Sequence, residues 1–475
     1  MHSDPARQTL GLPGILILLA GQLLPLVDFS IINVALESLS RTLGASHTEL
    51  ELVVAVYGVA FAVCLALGGR LGDRLGRRRV YLWGVGLFGL ASLLCGLAGS
   101  VPMLLAARAL QGVGAALAVP QILASLHVCL RGPAHSKAIG AYGAVGGIAF
   151  IIGQVLGGQL VSWDVAGLGW RSIFLINLPV CLSILLSTRR FVPETRSAHA
   201  PGFDLRGTGL LALLILCLLV AMSLGPLLHW PAWSLGMLVA VVPLAGGLWR
   251  TEQRQRWPLL PPPVMALASM RFGLLLALVF FASWSGFMFV VALTLQAGAG
   301  LSSAQSGQAF VMLGAAYFLM ALMSARVTRW LGTVAMLLLG FALQVPGLFG
   351  LIHSIGAQWS QLDPWTIAPA SVFIGAGQAL IVSAFYRISL GEVPAADAGA
   401  ASAMLSTVQQ AALGLGPALF GGLFAWSLAQ GQDYPRALGR ALELEIAGML
   451  GLAVLAALFG LRRRAARLAV ERRTG

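Results

Sequence analysis

The stretch Gly69-Arg70-Leu71-Gly72-Asp73-Arg74-Leu75-Gly76-Arg77-Arg78-Arg79 lies between two apolar runs at residues 50 to 69 and 80 to 99. Each run is close to the length needed to cross about 30 Å of hydrocarbon. The arginines hold the intervening segment at a water boundary, and its glycines allow the tight turns that join two antiparallel helices. The segment therefore reads as the loop of a membrane hairpin, with one acid set among basic residues.

Similar apolar runs recur outward in both directions. They lie at 13 to 37, 103 to 128, 137 to 160, 171 to 188, 207 to 224 and 232 to 249, then at 272 to 297, 307 to 328, 333 to 352, 366 to 388, 398 to 428 and 444 to 461. With the central pair they make fourteen expected transmembrane helices. Composition agrees, since residues are 58% hydrophobic and only 10% charged, too little polar surface to solvate a large globule. The first run has no cleavage-like end and continues through Asp28 and Asn33, which marks a retained helix and not a signal peptide.

The net charge of +13 is almost entirely arginine, with Lys137 the single lysine. With the amino terminus in the cytoplasm, all basic residues fall in cytoplasmic loops or the tail except Arg41, Arg108, Arg171, Arg436 and Arg440. The positive-inside rule then puts both termini in the cytoplasm. Charge at membrane boundaries suits anionic lipid and gives no reason to invoke nucleic acid. Cys64, Cys95, Cys129, Cys181 and Cys217 sit in or beside apolar runs without metal or disulfide spacing, and read as packing residues.

Within Leu24-Pro25-Leu26-Val27-Asp28-Phe29-Ser30-Ile31-Ile32-Asn33, Asp28 reads as the one carboxylate well inside an apolar run. An ionised aspartate there costs roughly 3 kcal/mol on insertion scales and persists beside a cavity or partner. Asp28 is thus the candidate for loading and releasing a proton. Arg108, inside the fourth run, cannot plausibly give up its own proton and is assigned an electrostatic role toward a nearby carboxylate or the cavity.

Two parts of the chain echo each other in order. Gln111-Gly112-Val113-Gly114-Ala115 parallels Ile374-Gly375-Ala376-Gly377-Gln378, and Gly153-Gln154-Val155-Leu156-Gly157-Gly158 parallels Gly416-Pro417-Ala418-Leu419-Phe420-Gly421-Gly422. Transporters commonly arise from such repeats, with the binding site between the halves. The expected organisation is a six-helix bundle over residues 1–190, a loop, two inserted helices and linker over 191–270, a second six-helix bundle over 271–463, and a basic tail over 464–475. The inserted pair is expected to be peripheral.

Phe280, Trp284 and Phe287 share one helical face, either toward lipid or as an apolar wall for flat lipophilic or cationic molecules. Asn33, Tyr57, Gln111, Gln154, Tyr317, Gln378, Gln409 and Gln410 are candidate uncharged hydrogen-bonding groups of the same cavity. His127 and His353 read as satisfied helix-end residues.

The loop at residues 69 to 79 resembles the loop signature of the major facilitator superfamily. The resemblance implies a conformational-switch loop of Gly69, Gly72, Asp73, Arg74, Gly76 and Arg77, in which Asp73 makes a breakable link with a neighbouring arginine or a helix amino terminus. Asp28-Phe29-Ser30-Ile31-Ile32-Asn33-Val34-Ala35-Leu36 is similar to the first-helix motif of the fourteen-helix drug:proton antiporter branch, with Glu37 where proline is usual. Trp170-Arg171-Ser172-Ile173-Phe174-Leu175-Ile176-Asn177-Leu178-Pro179 is similar to the sixth-helix signature of that branch. Arg108 with Gln111, Gly112 and Gly114 matches the fourth-helix motif, whose arginine is associated with proton transfer. The fifth-helix motif departs from the pattern, with Gln154 in place of proline and Ala149 in place of glycine.

What the resemblance implies is an all-α polytopic protein in which two six-helix bundles rock about a central cavity. It would export small lipophilic or cationic molecules against protons across a bacterial-type inner membrane. No cofactor other than the proton gradient and no obligatory protein partner are expected. A proton symporter importing a metabolite and a non-transporting sensor are the rival readings. The chain contains no G-x-S-x-G, no H-E-x-x-H and no phosphate loop, so an enzyme is not expected.

Overall fold

Proline and glycine punctuate the chain into helices. Pro13 opens α1 (Leu12–Ile31), where its missing N–H is no loss. A 3-10 turn at Ile32–Ala35 leads into α2 (Leu36–Leu43), which stops at Gly44 in the left-handed region. A capping box of Ser46 and Glu49 starts α3 (His47–Leu75), and Gly76, at φ 109°, separates it from α4 (Arg77–Gly96). Then come α5 (Val101–Cys129), α6 (Gly132–Trp163), the short α7 (Ser172–Leu175) and α8 (Asn177–Phe191). The inserted segment forms α9 (Leu205–Leu224) and α10 (Ala232–Arg254), followed by α11 (Pro262–Ala266).

The second half comprises α12 (Ala268–Leu293) with a π turn at Thr294–Gly298, α13 (Ser303–Ala309), α14 (Val311–Leu331), α15 (Thr333–Ala357) and α16 (Ala368–Leu390). It ends with α17 (Ala398–Gly416), a π turn at Pro417–Gly421, α18 (Gly422–Ala429) and α19 (Tyr434–Thr474). The computed structural model describes residues 10–196, 205–225, 230–255, 262–394 and 398–474.

Among the described residues, 11 helices are long and apolar enough to cross a membrane, or 12 if the bent α3 is one span. Two further helices, α6 and α9, coincide with the runs at 137 to 160 and 207 to 224, and the apolar part of α9, Arg206–Met222, is shorter than the rest. The last helix begins ten residues before the run expected at 444 to 461, because Arg436, Arg440 and Glu443 read as solvated sequence yet are helical.

The echoed glycines make equivalent contacts in the two halves. A Cβ on Gly112 would lie 2.4 Å from the Tyr57 carbonyl of α3, and one on Gly375 would lie 2.0 Å from the Leu313 carbonyl of α14. Likewise a Cβ on Gly153 would meet Ser30 Oγ at 1.8 Å, and one on Gly416 would meet Ser285 Oγ at 1.9 Å. The repeat is therefore one of packing, with small residues letting helix backbones touch. It also aligns Asp28, two residues before Ser30, with Ser283, two before Ser285, so the second half carries no acid at that place. Gly112→Ala is expected to wedge α3 from α5 and destabilise the protein by about 1–3 kcal/mol. A thermal-unfolding midpoint equal to wild type would contradict that packing.

The halves meet near the end of the molecule that is poor in arginine. There, a Cβ on Gly158 of α6 would lie 2.4 Å from the Ser303 carbonyl, the Ala304 N–H donates to Ser162 Oγ at 3.0 Å, and Gln296 Nε2 donates to the Asn33 carbonyl at 3.2 Å. Gly58 of α3 packs on Gly414 of α17 along the same seam. Helix α9 is not peripheral as expected: Ile215 and Leu219 cluster with Ala62 of α3 and Leu415 of α17, so α9 covers the seam from outside. Helix α10 packs on α9 and exposes most of its length.

Candidate proton-coupling site

Asp28 lies midway along the first membrane crossing, with 0% of its surface exposed. The wrapping of both its carboxylate oxygens explains how it survives there. Oδ2 accepts from Arg108 Nη1 in an ion pair between side chains that are both fully buried. Oδ1 accepts from Gln111 Nε2 at 2.7 Å and from Asn177 Nδ2 at 2.9 Å. Three N–H donors converge on one acid, which is the complement of an ionised carboxylate and not of a carboxylic acid that must itself donate.

The supporting shell fixes those donors. Arg108 Nη1 also donates to Gln111 Oε1 at 2.8 Å, and Arg108 Nε donates to the Val53 carbonyl at 3.1 Å. Ser92 Oγ accepts from Gln111 at 2.9 Å and from Asn177 at 3.3 Å. Tyr57 stacks its ring 4.4 Å from the Arg108 guanidinium carbon, a cation–π contact, while its hydroxyl donates to the Pro25 carbonyl at 3.0 Å. Arg108 Nη2 is enclosed without a hydrogen-bond partner, so the charge of the pair is only partly compensated.

Of the residues picked from sequence, Asp28, Arg108 and Gln111 are brought together. Gln111 and Tyr57 were both expected in the solute cavity; instead Gln111 donates to Asp28 and Tyr57 braces Arg108. Asn177 and Ser92 complete the site and were not singled out as site residues, although Asn177 lies inside the sixth-helix signature. An amide one residue before Leu178-Pro179 in an otherwise apolar stretch was the available signal.

Asn33 is buried; its Nδ2 donates to the Ser30 carbonyl at 3.2 Å. Gln154 and Gln378 are also buried, each with both side-chain amide atoms unpartnered. Gln410 is buried on α17, and Gln409 accepts from the Tyr386 hydroxyl at 2.9 Å. The aromatic face of α12 points inward, not toward lipid. Trp284 lies between Phe280, Phe281 and Tyr317 at centroid distances of 5.6, 6.0 and 5.7 Å, and Phe287 meets Phe310.

In the switch loop, Asp73 Oδ1 accepts from Arg77 Nη2 at 2.7 Å, across the Gly76 turn between α3 and α4 in the same half. Gly72 packs against the Gln121 side chain, whose Oε1 a Cβ there would displace and whose amide donates to the Gly68 carbonyl at 2.8 Å. Gly76 carries the turn, and Arg77 N–H donates to the Thr195 carbonyl at 2.9 Å. Gly69 is half-buried beside Pro120, and Arg74 is exposed.

Asp28 is not the one acid inside the membrane helices. Glu51 and Glu445 are also buried, the latter accepting from Gln344 Nε2 at 2.9 Å. Both stand beside other charges, Glu49 and Glu443, and so read as solvated helix ends.

The family model described as the Major Facilitator Superfamily matches residues 18–417. The chain belongs to this superfamily. Over 418 residues it is 32% identical to a probable actinorhodin transporter of Streptomyces coelicolor, covering 86% of this chain and 71% of that one. It is 34% identical over 418 residues to a puromycin resistance protein of Streptomyces alboniger, covering 86% of this chain and 80% of that one. The crystal structure of a POT family transporter in complex with 5-aminolevulinic acid has a TM-score of 0.68 over 94% of this chain and 96% of that one, at 12% identity, a likeness of fold. As a major facilitator, the protein is a multi-pass membrane transporter and not an enzyme, and its relatives are export and resistance proteins.

Proposed function

We propose that this major facilitator is a proton-coupled exporter of lipophilic or cationic small molecules, of the fourteen-helix drug:proton antiporter branch. The observation that carries the reading is the sealed Asp28–Arg108 pair with its amide shell, a charge site that helix movement can open or close. On this reading α6 and α9 cross as well, in addition to the 11 or 12 long apolar helices among the described residues, which makes fourteen crossings with the bent α3 counted as one. With both termini in the cytoplasm of a bacterial cell, the seam lies on the outer side and the conformation is inward-facing. The Asp73–Arg77 pairing within one half then fits a switch loop released from the other half.

The cycle runs on ionisation of Asp28. In this conformation the acid is paired and shut off from water, so proton exchange belongs to another step. Protonation removes the negative partner of Arg108, and α1, α3 and α5 repack around a guanidinium that keeps its charge. Because Asp28 is enclosed within the first bundle, the proton and the solute communicate through these helices more than by competing for one carboxylate. The solute biases the exchange only through different affinities for the two states. The aromatic cluster around Trp284 supplies adaptable apolar contact.

The test is a solute-by-solute flux screen in inside-out proteoliposomes under an imposed proton gradient, acidic inside. Gradient-driven accumulation of a lipophilic dye or antibiotic inside supports export. Loss of solute from the lumen along with protons would support the symport reading, and ligand binding with no net flux the sensor.

A further inference from the structure

The two halves form two equivalent contacts at the outer seam, and one of them has been altered. On one side, the Ser302–Gln305 capping box starts α13, and Gly307 two residues later packs on the Gln154 carbonyl and Gly158 of α6. On the other, the Ser46–Glu49 capping box starts α3, and the residue two later is Glu51. Glu51 thus occupies the place of Gly307. Its Oε1 lies 2.8 Å from where a Cβ on Gly421 would stand, with Phe289 of α12 against the same glycine.

The helix facing Glu51 has changed to admit it. Gly153 and Gly157 of α6 are four residues apart, whereas Gly416 and Gly421, their counterparts in the second half, are five apart. The extra residue is absorbed in the π turn Pro417–Gly421. A one-residue insertion is what a π turn accommodates, and such turns are frequent at functional sites. Glu51 is 2% exposed, and its Oε2 is enclosed with no hydrogen-bond partner.

Among the described residues nothing around it offsets a negative charge; the side chain of His47, four residues earlier on α3, lies outside them. Gly421 and Phe289 are not titratable, α9 contributes apolar Ile215 and Leu219 to the seam, and Glu49 on the same helix is held by Ser46. On α2, Arg41 and Glu37 pair with each other at 2.8 Å, and on α5 Arg108 is committed to Asp28.

We infer that Glu51 is a proton-operated latch of the outer seam: the seam closes on the neutral carboxyl and is held open by the ionised one. A buried unpaired carboxylate is strongly disfavoured, while a carboxylic acid or a water-exposed carboxylate is not. Closure therefore draws one proton from the outer side, and opening returns it to the same side. Glu51 makes the return to the inward-facing state conditional on outer acidity without itself carrying a proton across. This rests on the reading of the chain as a proton-coupled carrier, and adds a second protonation step to Asp28.

The experiment measures the seam directly, with no gradient and no solute. Spin labels at Ser100 and Gln361, exposed in loops of the two halves at the outer end, are placed in a protein whose five cysteines are alanine, and their distance distribution is followed from pH 5 to pH 9. One proton taken up on closure changes the open-to-closed ratio by up to about tenfold per pH unit between the open-state and closed-state titrations. Wild type is expected to open as pH rises. Glu51→Gln and Glu51→Leu are expected to stay closed throughout, and Glu51→Asp to keep a pH response, which separates carboxyl chemistry from packing. A Glu51→Gln protein that opens with the wild-type pH dependence, or is open at every pH, overturns the latch. Asp28→Asn in the same assay is expected to retain the Glu51-dependent response, so coupled flux that persists in Asp28→Asn beside an intact seam titration counts against the proposed cycle alone.

Discussion

Replacing Asp28 with asparagine is expected to abolish solute movement driven by a pH gradient while leaving solute exchange across the membrane in the absence of a gradient. Asparagine keeps the size of the side chain and can still accept from Arg108. It cannot change charge, so the proton no longer has a site whose occupancy differs between states. Its amide N–H groups must also share space with the donors of Gln111 and Asn177, which both aim at Oδ1 in the native site. Removing one partner of a buried ion pair costs about 3–5 kcal/mol, so a lowered melting temperature should accompany the loss of coupling. Insertion should survive, because the hydropathy and loop charges that direct it are untouched. Paired measurements of gradient-driven uptake and zero-gradient exchange check this, and equal loss of both would point to a structural role for Asp28.

Arg108→Leu is expected to have a comparable effect by the opposite route. It strands Asp28 and removes the donors to Val53 and Gln111. The mutant should lose coupled transport and about 3–5 kcal/mol of stability. The double variant Asp28→Leu with Arg108→Leu should recover much of that stability, since a buried ion pair replaced on both sides by apolar groups is often neutral or better. It should recover no coupled transport. A double-mutant cycle on melting reports the coupling, with a non-additive term of about 0.5–3 kcal/mol for residues in direct contact. If stability losses simply add, the two side chains do not act as a pair. Arg108→Lys should restore charge without the fork that serves Val53, Gln111 and Asp28 together, and so should rescue stability better than transport.

The membrane architecture was legible because hydrocarbon imposes length and apolarity on every crossing. The repeat was legible because close helix approach demands glycine at fixed places, as Gly112 and Gly375 show. Asp28 stood out as a lone acid in an apolar run, and Arg108 stood out through the fourth-helix motif, whereas the turn of Gln111 onto the same carboxylate emerged only with the structure. What sequence could not resolve was which polar groups face inward within a bundle and which face between bundles. Tyr57 was placed in the cavity on residue type, whereas its ring lies over Arg108. Glu51 and Glu445 were hidden by the charges next to them, since a carboxylate near a helix end is usually solvated. The inward turn of the α12 aromatics was undecidable from periodicity, because lipid and protein interior are equally apolar. The place of α9 across the seam left no trace in composition.

Simultaneous recording of proton and solute fluxes in proteoliposomes, with a pH dye in the lumen and a fluorescent lipophilic solute, tests the role of Asp28 most directly. Wild type should move protons against solute in a fixed ratio that disappears in Asp28→Asn while solute exchange persists. Proton movement coupled to solute at the wild-type ratio in Asp28→Asn would contradict the account.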